Sequence, residues 1–217
     1  MQISSFKSFL LVLIVAQIFS LPCSYANDGL QGFNESDPAL YRLSKVYVAN
    51  RESSTISEII GGKRTKDIEM QLNPKAIAIL DNKLFAASFY VNFVVEINDG
   101  KEGDYIQLRN QISDIAVAGN RIYVAYQYSS KITEIVNGKI AKDIELGFHS
   151  QFTTLLVCND RLYVANRDNG TISEFIDGIK IKDIQVGEGP FALASNNKRL
   201  YVANRDNGTI SEFIDGI

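Results

Sequence analysis

The sequence predicts an all-β protein assembled from about five copies of one unit, and three observations carry that reading. An aromatic residue recurs at Tyr47, Phe85, Tyr123, Tyr163 and Tyr201, 38 to 40 residues apart, inside versions of the run Leu-Tyr-Val-Ala-Asn. A glutamate follows each of them by eleven residues, at Glu58, Glu96, Glu134, Glu174 and Glu212. A two-residue turn sequence then stands at the same place in every copy: Gly61-Gly62, Asp99-Gly100, Asn137-Gly138, Asp177-Gly178 and Asp215-Gly216. A fixed period of this length marks a repeat architecture, in which no unit buries its apolar surface alone.

The elements of one unit follow in order. A short apolar segment comes first: Ala76 to Leu80, Ile115 to Ala118, Leu155 to Cys158 and Phe191 to Ala194. Its alanines suit the crowded place where units converge, so it is named strand a, the innermost. Asp81-Asn82, Gly119-Asn120, Asn159-Asp160 and Asn196-Asn197 are good turn formers and lead into strand b, the aromatic run. Strand c is rich in β-branched residues, as in Thr171-Ile172-Ser173-Glu174-Phe175-Ile176. The Asp-Gly and Asn-Gly pairs supply the positive φ angles of a type I′ hairpin, which leads to strand d. Four short up-and-down strands per unit describe one blade of a β-propeller. No stretch after residue 26 keeps a helical period.

The Leu-Tyr-Val-Ala-Asn run, the Thr-Ile-Ser strand and Gly189-Pro190 before strand a resemble the YVTN-type β-propeller repeat family over roughly residues 38–217. The resemblance implies the fold, and a setting in the bacterial cell envelope, but no activity. Relatives are commonly seven-bladed, and this chain is shorter. A WD-type repeat is disfavoured, because the chain contains no tryptophan.

Residues 1–26 read as a signal peptide, with Lys7 ahead of the apolar stretch Phe9 to Phe19 and small residues at Ser24 and Ala26. That stretch is too short to span a bilayer, and no later segment is apolar enough to do so. Export to the periplasm or exterior is expected, with cleavage after Ala26. Pro22 fits a lipid-attachment motif at Cys23 poorly. Cleavage leaves Cys158 as the one cysteine, expected to be a buried inert thiol. Loss of Lys7 moves the formal charge from −3 to −4. A mildly acidic chain without a basic cluster gives no reason to expect nucleic acid as a partner.

Residues 27–37 form a polar segment that makes a poor strand, ahead of the repeat domain at 38–217. Residues 161–179 and 199–217 are identical, which points to a recent duplication. One residue follows Asp215-Gly216, so the last blade is expected to be incomplete, with an open edge along 209–214 that invites self-association. Truncation relative to a longer parent propeller is the expected explanation, and closure of the ring by the segment 27–37 is the alternative.

Function is sought where the units differ. If strand a starts at the top, the d-to-a and b-to-c loops share one face, which carries Arg51, Tyr90, Arg109, Tyr128, His149, Arg167, Glu188 and Arg205 as candidate ligand contacts. Arginine offers a planar donor fork for carboxylate or phosphate, and tyrosine can stack. The five glutamates recur at one strand position and are read as structural, with Lys66, Lys142 and Lys182 balancing their charge. His149 is the only histidine, so a multi-histidine metal site is excluded. No nucleophile elbow, paired-cysteine motif or phosphate-binding glycine loop appears, and no catalytic residue, metal ligand or cofactor is assigned. The expected function is a noncatalytic scaffold that presents its top loops to an unidentified protein or small ligand. A propeller enzyme of lactonase-like or lyase type with an axial metal is the alternative from another class, and a nonfunctional fragment of a longer propeller is a third.

Overall fold

The computed structural model describes residues 45–81, 83–88, 90–150, 153–196 and 199–214, and every regular element among them is a β-strand. The leader 1–26, the polar segment 27–37 and the turn Asp215-Gly216 lie outside the described residues.

Five antiparallel sheets follow one another along the chain. The first blade holds β1 (Lys45–Asn50), β2 (Thr55–Ile60) and β3 (Lys63–Glu69). The second holds β4 (Pro74–Leu80), β5 (Lys83–Ser88), β6 (Phe93–Asn98) and β7 (Lys101–Gln107). The third holds β8 (Ile112–Ala118), β9 (Arg121–Tyr126), β10 (Ser129–Val136) and β11 (Lys139–Ser150). The fourth holds β12 (Thr153–Cys158), β13 (Arg161–Asn166), β14 (Thr171–Ile176) and β15 (Ile179–Gln185). The fifth holds β16 (Pro190–Asn196), β17 (Arg199–Asn204) and β18 (Thr209–Ile214). Three blades are thus four-stranded; the first and fifth show three strands among the described residues. The inner strands β4, β8, β12 and β16 touch in succession, which places strand a at the axis as expected.

Strand register explains the eleven-residue spacing. Each aromatic pairs directly with its glutamate: Tyr47 with Glu58, Phe85 with Glu96, Tyr123 with Glu134, Tyr163 with Glu174 and Tyr201 with Glu212. The turns adopt the expected backbone, with φ of 51° at Asp177 and 74° at Gly178. The turn also packs closely on its neighbour, against the flexible end of a lysine. A Cβ on Gly178 would lie 2.8 Å from Lys142 Nζ, because this turn rests on β11 of the preceding blade.

The core is divided by blade interface. Ile56, Ile77 and Val95 join the first and second blades; Val94, Ile112 and Val124 join the second and third. Tyr123, Ile132 and Phe175 join the third and fourth, and Tyr163, Ile172 and Leu200 join the fourth and fifth. Among the described residues no such cluster joins the fifth blade to the first. Cys158 is half-buried at the end of β12 and packs against the fourth–fifth core, so it is less enclosed than the sequence suggested.

Buried polar side chains are tied across strands b, c and d. In the first blade Asn50 donates to Thr55 (3.1 Å) and Ser57 (2.8 Å), and Ser57 donates to Asp67 at 2.7 Å. The fourth blade repeats this with Asn166, Ser173 and Asp183. In the third, Tyr126 replaces asparagine: its hydroxyl donates to Thr133 (2.6 Å), which donates to Asp143. The repeated glutamates are structural in the same way. Glu174 is completely buried and pairs with Arg161 and Lys182; Glu134 pairs with Arg121 and Lys142; Glu58 pairs with Lys45 and Lys66. Burial alone would raise the Glu58 carboxyl. Hydrogen bonds from Thr65 and Tyr47, with the two lysines, outweigh that and hold its pKa below the usual value.

Candidate functional site

The b-to-c and d-to-a connections lie at the same end of the blades, which backbone hydrogen bonds show directly. The amide of Gln127 donates to Gln111 O at 2.8 Å, that of Arg205 to Gly189 O at 3.0 Å, and that of Asp206 to Glu188 O at 3.2 Å. The candidate residues therefore share a face, but it sorts them into separate groups.

Arg167 and Glu188 meet in a cleft of about 490 Å³ between the fourth and fifth blades, lined by the turn 167–170, by Gln185 and the connection 186–189, and by Asp206. Local chemistry fixes its walls. The Asn169 side chain accepts from the Thr171 amide (3.2 Å) and hydroxyl (2.7 Å), closing the turn. Gln185 donates to Gly170 O at 2.8 Å. Gly189, with φ of 64°, lets the connection pass against Asp206, whose carboxylate a Cβ would strike. Arg167 reaches Asp206 at 3.5 Å, and Arg205 lies over the Phe191 ring at 5.5 Å. One guanidinium faces three carboxylates, those of Asp168, Glu188 and Asp206. The cleft is thus acidic, whereas the arginines alone had suggested an anionic ligand.

Arg51 and Tyr90 form a second group, with the guanidinium 5.8 Å from the ring centroid and paired with Glu52. Arg109 sits apart, its carbonyl accepting from Asn92. Tyr128 is exposed at a φ of 51° in the short turn between β9 and β10. His149 is not in a loop: β11 runs on to Ser150, which pairs with Ser129, because β10 begins early after that short turn.

The axis holds a pair that the sequence reading passed over. Asp114 stands in an inner-strand column otherwise occupied by Ala76, Thr154 and Ala192, all paired with an alanine of strand b. Its carboxylate accepts from the amides of Ile115 and, across to the fourth blade, Leu155, both at 2.9 Å. Burial still pushes its pKa up to about 6. Lys75, at the irregularity between Pro74 and Ala76, feels Asp114 and Arg51; burial and the Arg51 charge bring its amine down to about 8. A charged residue in an alanine and threonine column was the available signal. Among the described residues, no group of three or more His, Cys, Asp or Glu is placed to hold a metal ion, and no helix is long and apolar enough to cross a membrane.

Five blades of up-and-down strands around one axis define a β-propeller protein. Comparison with family models and with curated proteins returned no match. Solved structures do match. BBS1N in complex with ARL6DN superposes with a TM-score of 0.67 at 16% identity, over 79% of this chain and 61% of that one. Virginiamycin B lyase from Staphylococcus aureus gives 0.63 at 18%, over 79% and 66%, and hydrazine synthase from Kuenenia stuttgartiensis gives 0.62 at 14%, over 81% and 58%. The chain thus spans about three-fifths to two-thirds of the length of these structures. Similarity at this identity shows the fold, which is shared by enzymes and by a protein that binds another protein.

Proposed function

We propose that the chain is an exported, noncatalytic β-propeller of YVTN type, periplasmic or extracellular, that binds a protein or small ligand through its top-face loops. The cleft between the fourth and fifth blades carries this reading. Loop residues of two blades converge there around a cleft, and its excess of carboxylates suits a ligand presenting a cationic or amide group, such as a lysine or arginine side chain. Protein capture by BBS1N shows that a propeller can serve this role. The leader-like residues 1–26 support export.

A titration of the isotope-labelled protein with lysine- and arginine-containing tripeptides, followed by amide NMR, tests the reading. Shifts are expected at 167–170 and 186–189, lost in Glu188→Lys, and absent with glutamate-containing tripeptides. Shifts elsewhere only, or none, would remove the cleft from consideration. The Lys75–Asp114 pair favours the second reading, a propeller enzyme of lactonase-like or lyase type acting at the axis. Turnover of a lactone or ester that is abolished by Lys75→Met would establish it over the first.

A further inference from the structure

The two identical stretches act as an internal control on blade packing. In the fourth blade Tyr163, Ala165 and Ile172 are buried under Leu200, Val202 and Phe213 of the fifth. The same side chains recur in the fifth blade as Tyr201, Ala203 and Ile210, yet Ile210 is 72% exposed where Ile172 is 0%. Ile214, beside it on β18, is 58% exposed. An apolar face built to take a neighbouring blade therefore stands uncovered among the described residues.

We propose that this face docks head-to-tail on the first blade of a second copy of the chain. The repeat itself says which surface fits. Leu200, Val202 and Phe213 have their register equivalents in Val46, Val48 and Ile59, which are half-buried and belong to no described core. Polar contacts agree. Between the fourth and fifth blades Arg167 meets Asp206. The equivalents across the new contact are Arg205 and Glu52 of the partner copy, whose side chain is 70% exposed. The joint would be heterologous: the face used is not the face met, so each copy keeps one free face.

Sedimentation velocity of the purified full chain across the micromolar range tests this. Association that rises with concentration is expected. Ile210→Lys, at an exposed position that leaves folding intact, should weaken it at least about tenfold, as loss of a central apolar anchor does. Glu52→Lys, also exposed, should weaken it from the other side. An equimolar mixture of the two variants should give a 1:1 complex and nothing larger, since each retains one competent face. A wild-type chain that stays monomeric throughout, its face being reserved for some other polypeptide, would overturn the proposal. So would an Ile210→Lys effect with none from Glu52→Lys or Val48→Lys, which would mark edge-to-edge pairing of two fifth blades.

Discussion

Ile172 and Ile210 occupy the same place in identical local sequences, and truncating each to alanine isolates the worth of a neighbouring blade. The change removes three carbon atoms. At about 0.8 kcal/mol per buried carbon the transfer loss at the fully buried Ile172 is about 2.4 kcal/mol. The cavity left between Tyr163, Leu200 and Val202 adds to this, giving about 3 to 4 kcal/mol. Ile210 keeps under a third of its surface from water, so the same change there should cost under about 1 kcal/mol, part of it strand propensity. Urea denaturation at low protein concentration, followed by tyrosine fluorescence, reads both numbers, and an unchanged slope keeps the comparison valid. Losses of equal size would refute the open face: they would mean that the fifth blade is covered on both sides in solution.

The same pairing of sites predicts the worth of the repeated glutamate. Arg161→Ala leaves the buried Glu174 with Lys182 alone and should cost about 2 to 3 kcal/mol, while Arg199→Ala, in the solvent-exposed pair with Glu212, should cost far less in the same assay. Stability should also carry the signature of the axis. Asp114 titrates near 6 in the folded chain and near 3.8 unfolded, so the folded state holds more protons between those values and stability falls as pH rises from 4 to 6. Lys75 titrates near 8 folded and 10.5 unfolded, so its contribution grows again from pH 8 to 10. Difference curves between wild type and Asp114→Asn, and between wild type and Lys75→Met, should show these two slopes with opposite sign; a flat difference would contradict the desolvation of these two charges.

The fold was legible because its rules are local. Turn residues at 99–100, 137–138 and 177–178 fix the hairpins, and once a hairpin is fixed its register places Tyr163 opposite Glu174 without further information. Alternation then assigns each side chain to one of two neighbours. The lysines opposite the glutamates followed from the same register, and Lys66, Lys142 and Lys182 take those places. What lay between blades was harder to see. The acidity of the cleft depends on Asp206 crossing to the connection 186–189, a contact that no spacing within one unit encodes. His149 lies in a strand and not a loop because Gln127-Tyr128 makes a short turn, β10 begins at Ser129, and β11 extends to Ser150 to pair with it. Asp114 departs from the repeat in an inner strand, where a carboxylate replaces the small or hydroxyl side chains of the other blades, and not in a loop.

The two identical stretches also bear on how the chain finds its structure. The third blade presents its face to whatever carries Leu162, Val164 and Phe175, and residues 199–214 carry the same side chains in the same order. Early in folding, the fifth blade can therefore seat itself on the third, with the whole fourth blade left as an unpaired loop. Closing that longer loop costs only about 0.6 kcal/mol per doubling of its length, a weak guide to the right choice. The decision falls instead to the later burial of the fourth blade's second face. A skipped-blade intermediate of this kind would act as a kinetic trap, and refolding is then expected to be slower for this chain than for one whose fourth and fifth units have been made different.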